Sequence, residues 1–298
     1  MTNRFDRALL LFALLLATLP LPAGVATAGS MAVSQELDME YGLAGGATTL
    51  QDGRRVGSVD EQSVDVKYVV SPQVTNDLLL RFGVEWERFF FGLPTAGALP
   101  ETLQQASAVV GFDYQLSDPW LVRAEVQPGI YGDAGSVDWR RFGAPLVVGA
   151  VYLQDADLQW ILGLRIDPRS HYPVLPAVGV RWKFSDEWTL NFQLPKPRLE
   201  YEVSDKLQAY LGAGIKSQTY VVGDHFGDDH GLPKLNHATV DYVEVRSGPG
   251  FSWKVNPHLT LEAEAGCLLL RNWDFFDQDV KLESRQAPYL LLALRGRF

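Results

Sequence analysis

Apolar and polar positions alternate along most of this chain with a period of two. Leu78, Leu80, Phe82, Val84 and Trp86 share one parity, and Arg81, Gly83 and Glu85 share the other. The same holds for Ala108, Val110, Phe112 and Tyr114 against Gly111, Asp113 and Gln115, and for Leu158, Trp160, Leu162 and Leu164 against Gln159, Gly163 and Arg165. A strand with one apolar and one polar face reads this way, whereas a helix would repeat every three to four residues. The alternation predicts strands over 36–46, 62–71, 77–90, 103–116, 120–131, 144–153, 158–167, 174–184, 188–194, 198–203, 207–221, 239–255, 259–271 and 286–298. The expected fold class is therefore all-β.

The connections add polarity. Ser71-Pro72-Gln73, Ser117-Asp118-Pro119, Ser185-Asp186-Glu187, Ser204-Asp205-Lys206 and Asn256-Pro257-His258 are short runs of turn-forming residues. Between them lie mostly longer connections near 91–102, 132–143, 168–173, 222–238 and 272–285, with the tight Pro195-Lys196-Pro197 as an exception. Short turns at one end and long loops at the other describe an antiparallel up-and-down transmembrane β-barrel. Fourteen strands bring both termini to the short-turn end; twelve is the alternative count. A secreted β-sandwich would show the same alternation, but not this turn polarity.

Residues 1–28 read as a secretory signal. Arg4 and Arg7 precede an apolar run from Ala8 to Leu19, Pro20 and Pro22 end it, and Ala26-Thr27-Ala28 presents small side chains for cleavage. The run is shorter than the ~20 residues of a membrane-spanning helix. The expectation is export through the inner membrane, with 29–298 forming one barrel domain in a bacterial outer membrane, termini periplasmic. Mean hydropathy of −0.04 suits such a barrel, whose two faces average to neutral.

Composition narrows the chemistry. Net charge −10 argues against nucleic acid, and a single cysteine among 298 residues excludes an internal disulfide framework. Five histidines, four of them in long connections, and no Gly-x-Ser-x-Gly elbow leave no catalytic constellation. No enzyme activity and no cofactor are expected. In the 222–238 connection, His225 and His230 stand among aspartates as the weak metal candidates, at no established ligand spacing.

The last strand ends on Phe298, with Leu290, Leu292 and Leu294 on its parity. This resembles the assembly signal of bacterial outer-membrane barrels, which implies the barrel-insertion machinery as a partner and outer-membrane lipid as the solvent. Gly296 departs from that pattern. The corner Leu194-Pro195-Lys196-Pro197-Arg198-Leu199-Glu200-Tyr201, the Ser204-Asp205-Lys206 turn and the terminal strand together resemble a family of outer-membrane barrel proteins of unknown function. That resemblance implies a fold and a location, and no activity.

On the polar parity lie Arg81, Glu85, Asp113, Arg123, Glu125, Arg165, Arg181, Lys183, Glu200, Glu202, Glu244, Arg246, Glu262 and Glu264, the expected lumen lining. A three-residue turn at 117–119 sets Asp113 opposite Arg123. Glycines 83, 111, 163, 179, 212, 250 and 266 on that parity favour a water-filled interior. Trp120, Trp182, Phe184, Trp188 and Trp253 are expected to girdle the short-turn end, and Trp86, Phe90, Tyr131 and Tyr220 the other. A channel or solute-transport barrel follows, with mild cation preference from the acidic excess. A structural or adhesive barrel without a pore, and a rim-sited enzyme, are the alternatives.

Overall fold

The computed structural model describes residues 32–92, 94, 96–133 and 138–298; the signal segment read over 1–28 lies outside them. The chain is a closed antiparallel barrel of fourteen strands. They are β1 (Val33–Gln51), β2 (Arg54–Pro72), β3 (Leu78–Phe91), β4 (Thr102–Ser117), β5 (Trp120–Val126, resuming Gly129–Gly132), β6 (Phe142–Gly143, resuming Leu146–Leu153) and β7 (Leu158–Ile166). The circuit continues with β8 (Val174–Lys183), β9 (Trp188–Phe192), β10 (Arg198–Ser204), β11 (Leu207–Val221), β12 (Thr239–Asn256), β13 (Leu259–Phe275) and β14 (Val280–Ser284, resuming Ala287–Arg297). Each strand pairs with its sequence neighbours. β1 and β14 close the circuit from Glu36 opposite Arg297 to Ala44 opposite Tyr289. Closure leaves no sheet edge whose N–H and C=O groups need another partner.

The short turns form for local reasons. The Asn256 carboxamide oxygen accepts from the N–H groups of His258 and Leu259 at 2.8 and 3.0 Å. Asp155 does the same for Asp157 and Leu158, and the Ser185 hydroxyl accepts from Trp188 N–H. At the opposite end, β1 and β2 meet in a two-residue turn, Asp52-Gly53, with φ of 48° and 80°. Asp-Gly suits a turn with positive φ at both positions, whose twist matches its strands. The alternation over 36–46 and 62–71 therefore understates this hairpin: each strand has 19 residues. Register shifts between Ala44 and Ala47 and between Thr49 and Leu50 blur its period.

One further irregularity reverses the parity on which the lumen reading rests, and another interrupts the ladder without reversing it. Leu269 and Leu270 are both exposed where the β12–β13 register slips, so Glu262 and Glu264 face inward below the slip and Arg271, Trp273 and Phe275 above it. β5 breaks at Gln127-Pro128, opposite the break of β6 at Ala144-Pro145, because proline gives the ladder no donor. The register continues unchanged across that break, so Tyr131, on the parity of Arg123 and Glu125, points inward and is fully buried; Tyr220, on the parity of Gly212 and Lys216, is buried as well. Neither ring belongs to an outer girdle.

The outward face is apolar and open, with Val84 61% and Val178 59% exposed. At its short-turn end the rings pair: Trp120 with Tyr152, Trp182 with Phe184, and Trp188 with Tyr201, centroids 4.9–5.4 Å apart. The wall is uneven in height. Strands β12, β13, β1 and β2 run 17–19 residues, whereas β6 to β10 hold segments of 5–10 beyond the β6 break.

A closed barrel with this outward face is expected to need detergent and to migrate at different apparent sizes on a gel before and after heating. A compact, detergent-free monomer with one migration position would contradict it.

Candidate functional site

Beneath the tall wall the lumen is crossed by ion pairs. Arg81 of β3, 2% exposed, reaches Glu36 of β1 at 3.2 Å, Glu125 of β5 at 3.3 Å and Asp113 of β4 at 3.8 Å. Asp113 lies opposite Arg123 in the ladder and accepts two of its hydrogen bonds, at 2.6 and 2.8 Å. Lys67 bridges Glu125 and Glu85 at 2.8 and 3.1 Å. Glu40 gathers Lys196, from the tight corner, with Arg295 and Arg246. Arg198 donates two hydrogen bonds to Glu262, at 3.1 and 3.0 Å, while stacking on the Tyr210 ring. The longest reach is Lys216 of β11 to Glu87 of β3, strands on opposite sides of the barrel. Removing one member of such a buried pair strands the other charge and costs about 3–5 kcal/mol.

Above these pairs, toward the long connections, an apolar cluster closes the tall side. Phe89 and Phe91 from β3, Tyr242 from β12 and Trp273 from β13 pack with centroids 4.8–5.6 Å apart. Leu99 from one connection, and Phe226 and Leu235 from another, join the same cluster. A third connection is pinned by Asp241: one carboxylate oxygen accepts from Ser170 Oγ at 3.0 Å and His171 N–H at 2.9 Å, the other from Thr219 Oγ1 at 2.6 Å. Nearby, Arg165 donates to Gln218 at 2.8 Å and pairs with Asp167 at 3.4 Å.

At the short-turn end the interior opens into two polar cavities. One, about 260 Å³, is lined by Arg198, Glu200, Gln208, Lys254 and Glu262 among others. The second, about 320 Å³, is lined by Asp38, Lys196, Arg198, Arg295 and Arg297 among others.

Residues 93–290 match a family described as a domain of unknown function, DUF6268. The chain belongs to this family. No curated protein matches it. Among solved structures, an outer membrane channel of Pseudomonas putida F1 is similar at 12% identity over 93% of this chain and 99% of that one, with a TM-score of 0.46. The Pseudomonas putida toluene transporter TodX is similar at 11% identity, over 91% and 90%, with a TM-score of 0.37. The translocator domain of the autotransporter NalP from Neisseria meningitidis gives 13%, 98% and 96%, and 0.39. Likenesses this distant transfer no cargo.

In this DUF6268 member, the residues read from alternation fall into three groups. Arg81, Glu85, Asp113, Arg123, Glu125, Glu244, Arg246, Glu262 and Glu264 join the network; Glu244 pairs with Arg246 at 3.5 Å and Glu264 accepts from Tyr289 Oη. Arg165 belongs to the pinned connection, and Glu200 accepts from Asn191 at 3.1 Å. Arg181, Lys183 and Glu202, near the short-turn end, make no ion pair among the described residues. Sequence reasoning missed Glu36, Glu40, Glu61, Lys67, Lys196, Lys216, Arg271 and Arg295. Parity on β1, β2 and β11 carries most of them; Arg271 is hidden by the Leu269-Leu270 slip.

Two expectations need correction. Glycine on the inward face is not by itself room for water: a Cβ on Gly250 would stand 2.4 Å from the Tyr210 ring of the paired strand, which occupies that space. His225 and His230 also do not converge. His225 is exposed, 3.7 Å from Asp228, and His230 Nδ1 lies 2.7 Å from the Phe226 carbonyl oxygen. Among the described residues the group that does converge is His237 with Asp224 and Asp138, and there the Arg140 guanidinium already stands 3.0 Å from the imidazole.

Arg271 holds the upper network: it donates to Glu61 at 3.1 Å, the Val59 carbonyl at 2.7 Å and Ser284 Oγ at 3.0 Å. Arg271→Ala is expected to lower stability by about 3–5 kcal/mol, read as a lower urea midpoint of tryptophan fluorescence for the vesicle-folded barrel. Adding Glu61→Leu to an Arg271→Met background is expected to recover most of that loss.

Proposed function

We propose that this protein is a gated solute channel of a bacterial outer membrane, with its short turns and termini in the periplasm and its long connections outside. The supporting observation is the arrangement of the lumen. Polar cavities open at the short-turn end beneath a closure in which Leu99, Phe226 and Leu235 from the connections pack on Phe89, Phe91, Tyr242 and Trp273 of the wall, beside the Asp241-held Ser170. A closure carried by loops can swing without breaking the barrel ladder, because loops open at lower free energy than paired strands. The outward apolar face and its aromatic pairs suit a lipid surroundings. No catalysis and no cofactor are assigned to it.

The structural, pore-free reading draws on the packed tall side. The two readings separate when the pin is released. Asp241→Ala frees the 167–173 connection and is expected to raise the open probability in planar bilayers over that of the parent protein, with heat-modifiable migration unchanged. Silence in both proteins would favour the structural barrel.

Assembly is assigned to the terminal strand, as a signal for barrel insertion. The Phe298 N–H donates to Gln35 and its carbonyl accepts from Gln35, both at 2.9 Å. Its ring stacks on His258 and leans over Gly296, where a Cβ would meet it at 2.9 Å. This contact accounts for glycine at the position that departs from the usual pattern. Deleting Phe298 is expected to reduce outer-membrane levels and raise periplasmic or degraded protein, as judged by fractionation. Arg297→Ala, which removes the half-exposed pair with Asp38, is expected to do much less.

A further inference from the structure

The lumen has two unlike sides, and only one of them is packed shut. Strands β6 to β9 contain no aspartate or glutamate. Their inward parity is fixed by Arg165, which reaches Gln218 across the interior. Val147 pairs with Arg165, and Gly149 with Gly163, on that same face. Val147 is nevertheless 37% exposed. A Cβ added to Gly149 or Gly163 would meet only neighbouring backbone and Ala177 of the same sheet, at 3.5 Å or more. Among the described residues, the atoms nearest such a Cβ all belong to the same sheet and none to the opposite wall.

Charge on this open side has one sign. Arg165, Arg181 and Lys183 point inward from β7 and β8; Arg181 lies opposite Gln159 and Asn191, and Lys183 opposite Thr189. Neither Arg181 nor Lys183 has a carboxylate partner among the described residues. The bordering acids are largely engaged: Asp113 holds Arg123, Asp167 holds Arg165, and Glu200 accepts from Asn191 and Gln208. Glu202 of β10 remains at the mouth. In the turns, Asp155 spends a carboxylate oxygen on backbone N–H groups, and Glu187 accepts from Ser185.

We infer that a path for small organic anions runs along β6–β9, with Arg181 and Lys183 as its binding site near the short-turn end and the aliphatic wall of Val147, Val151 and Ile161 beside it. Unpaired cations in a partly desolvated passage attract anions more strongly than they would in water. An aliphatic wall accommodates the apolar body of a carboxylic acid, while inorganic anions gain only the charge term. The net charge of the whole chain points the other way, but its acids are concentrated on the opposite, ion-paired side.

This inference rests on the channel reading, and two measurements keep the two separable. In planar bilayers under a potassium chloride gradient, the Asp241→Ala protein is expected to show anion preference. Arg181→Gln with Lys183→Gln is expected to abolish that preference while leaving heat-modifiable migration intact. Calorimetric titration of the detergent-folded barrel with potassium benzoate is expected to show saturable binding, weakened about tenfold or more by the same double replacement. Cation-preferring currents, or no benzoate binding, would overturn the anion path and leave the channel standing. Benzoate binding by a barrel that never conducts would overturn the channel and leave the site.

Discussion

Closure of the β1–β14 ladder is the constraint on which the rest depends. Once every backbone N–H and C=O is committed to a neighbouring strand, each side chain has two directions available, in or out, and a residue changes direction only where the ladder is interrupted. Away from the turns such changes are few and local, the slip at Leu269-Leu270 and the shifts in β1, while the paired proline breaks in β5 and β6 leave the register as it was. Between them, parity decides which charges meet. The pairing of Asp113 with Arg123 across the 117–119 turn follows from it directly.

That dependence explains what was legible in the sequence. Strand existence, strand count and the location of most inward charges rest on alternation, which survives wherever the ladder is regular. The Asp52-Gly53 turn was also readable, as the strongest short hairpin signal there is, but its flanking residues lose their period at the shifts and hide it. Arg271 lies beyond a slip that cannot be inferred from parity alone, whereas Tyr131 shares the inward parity of Arg123 and Glu125 and was placed by its nearness to the strand end. Tyr220 stood on the inward parity already and is an aromatic read by its distance from the strand end instead. Contacts across the lumen, such as Lys216 with Glu87, join residues 129 positions apart with no periodic relation between them.

The interior glycines show why composition misleads about space. Small residues on an inward face admit either water or a neighbour, and the choice is made by the side chains beside them. Around Gly250 the Tyr210 ring of the paired strand fills the gap, whereas the side-chain atom nearest a Cβ on Gly149 or Gly163 is the Ala177 Cβ, 3.6 Å from that on Gly163. The difference follows the distribution of acids: where both signs are present, side chains reach across and pair, and where only cations line the wall, they have nothing to draw them together.

In the outer membrane proposed for it, the uneven wall has a consequence for the surrounding lipid. A strand tilted as in a barrel crosses the hydrocarbon layer in about 9–11 residues, yet β9 holds only five in the ladder while β1 and β2 hold nineteen. Hydrophobic mismatch is then confined to one sector of the circumference. The bilayer must thin beside β9, or the barrel must lean until its short flank spans, and the outward rings of Trp182, Trp188 and Tyr201 sit at the place where headgroups would be drawn inward. A barrel so placed would thin its membrane on one side only, along the same strands that leave its interior open.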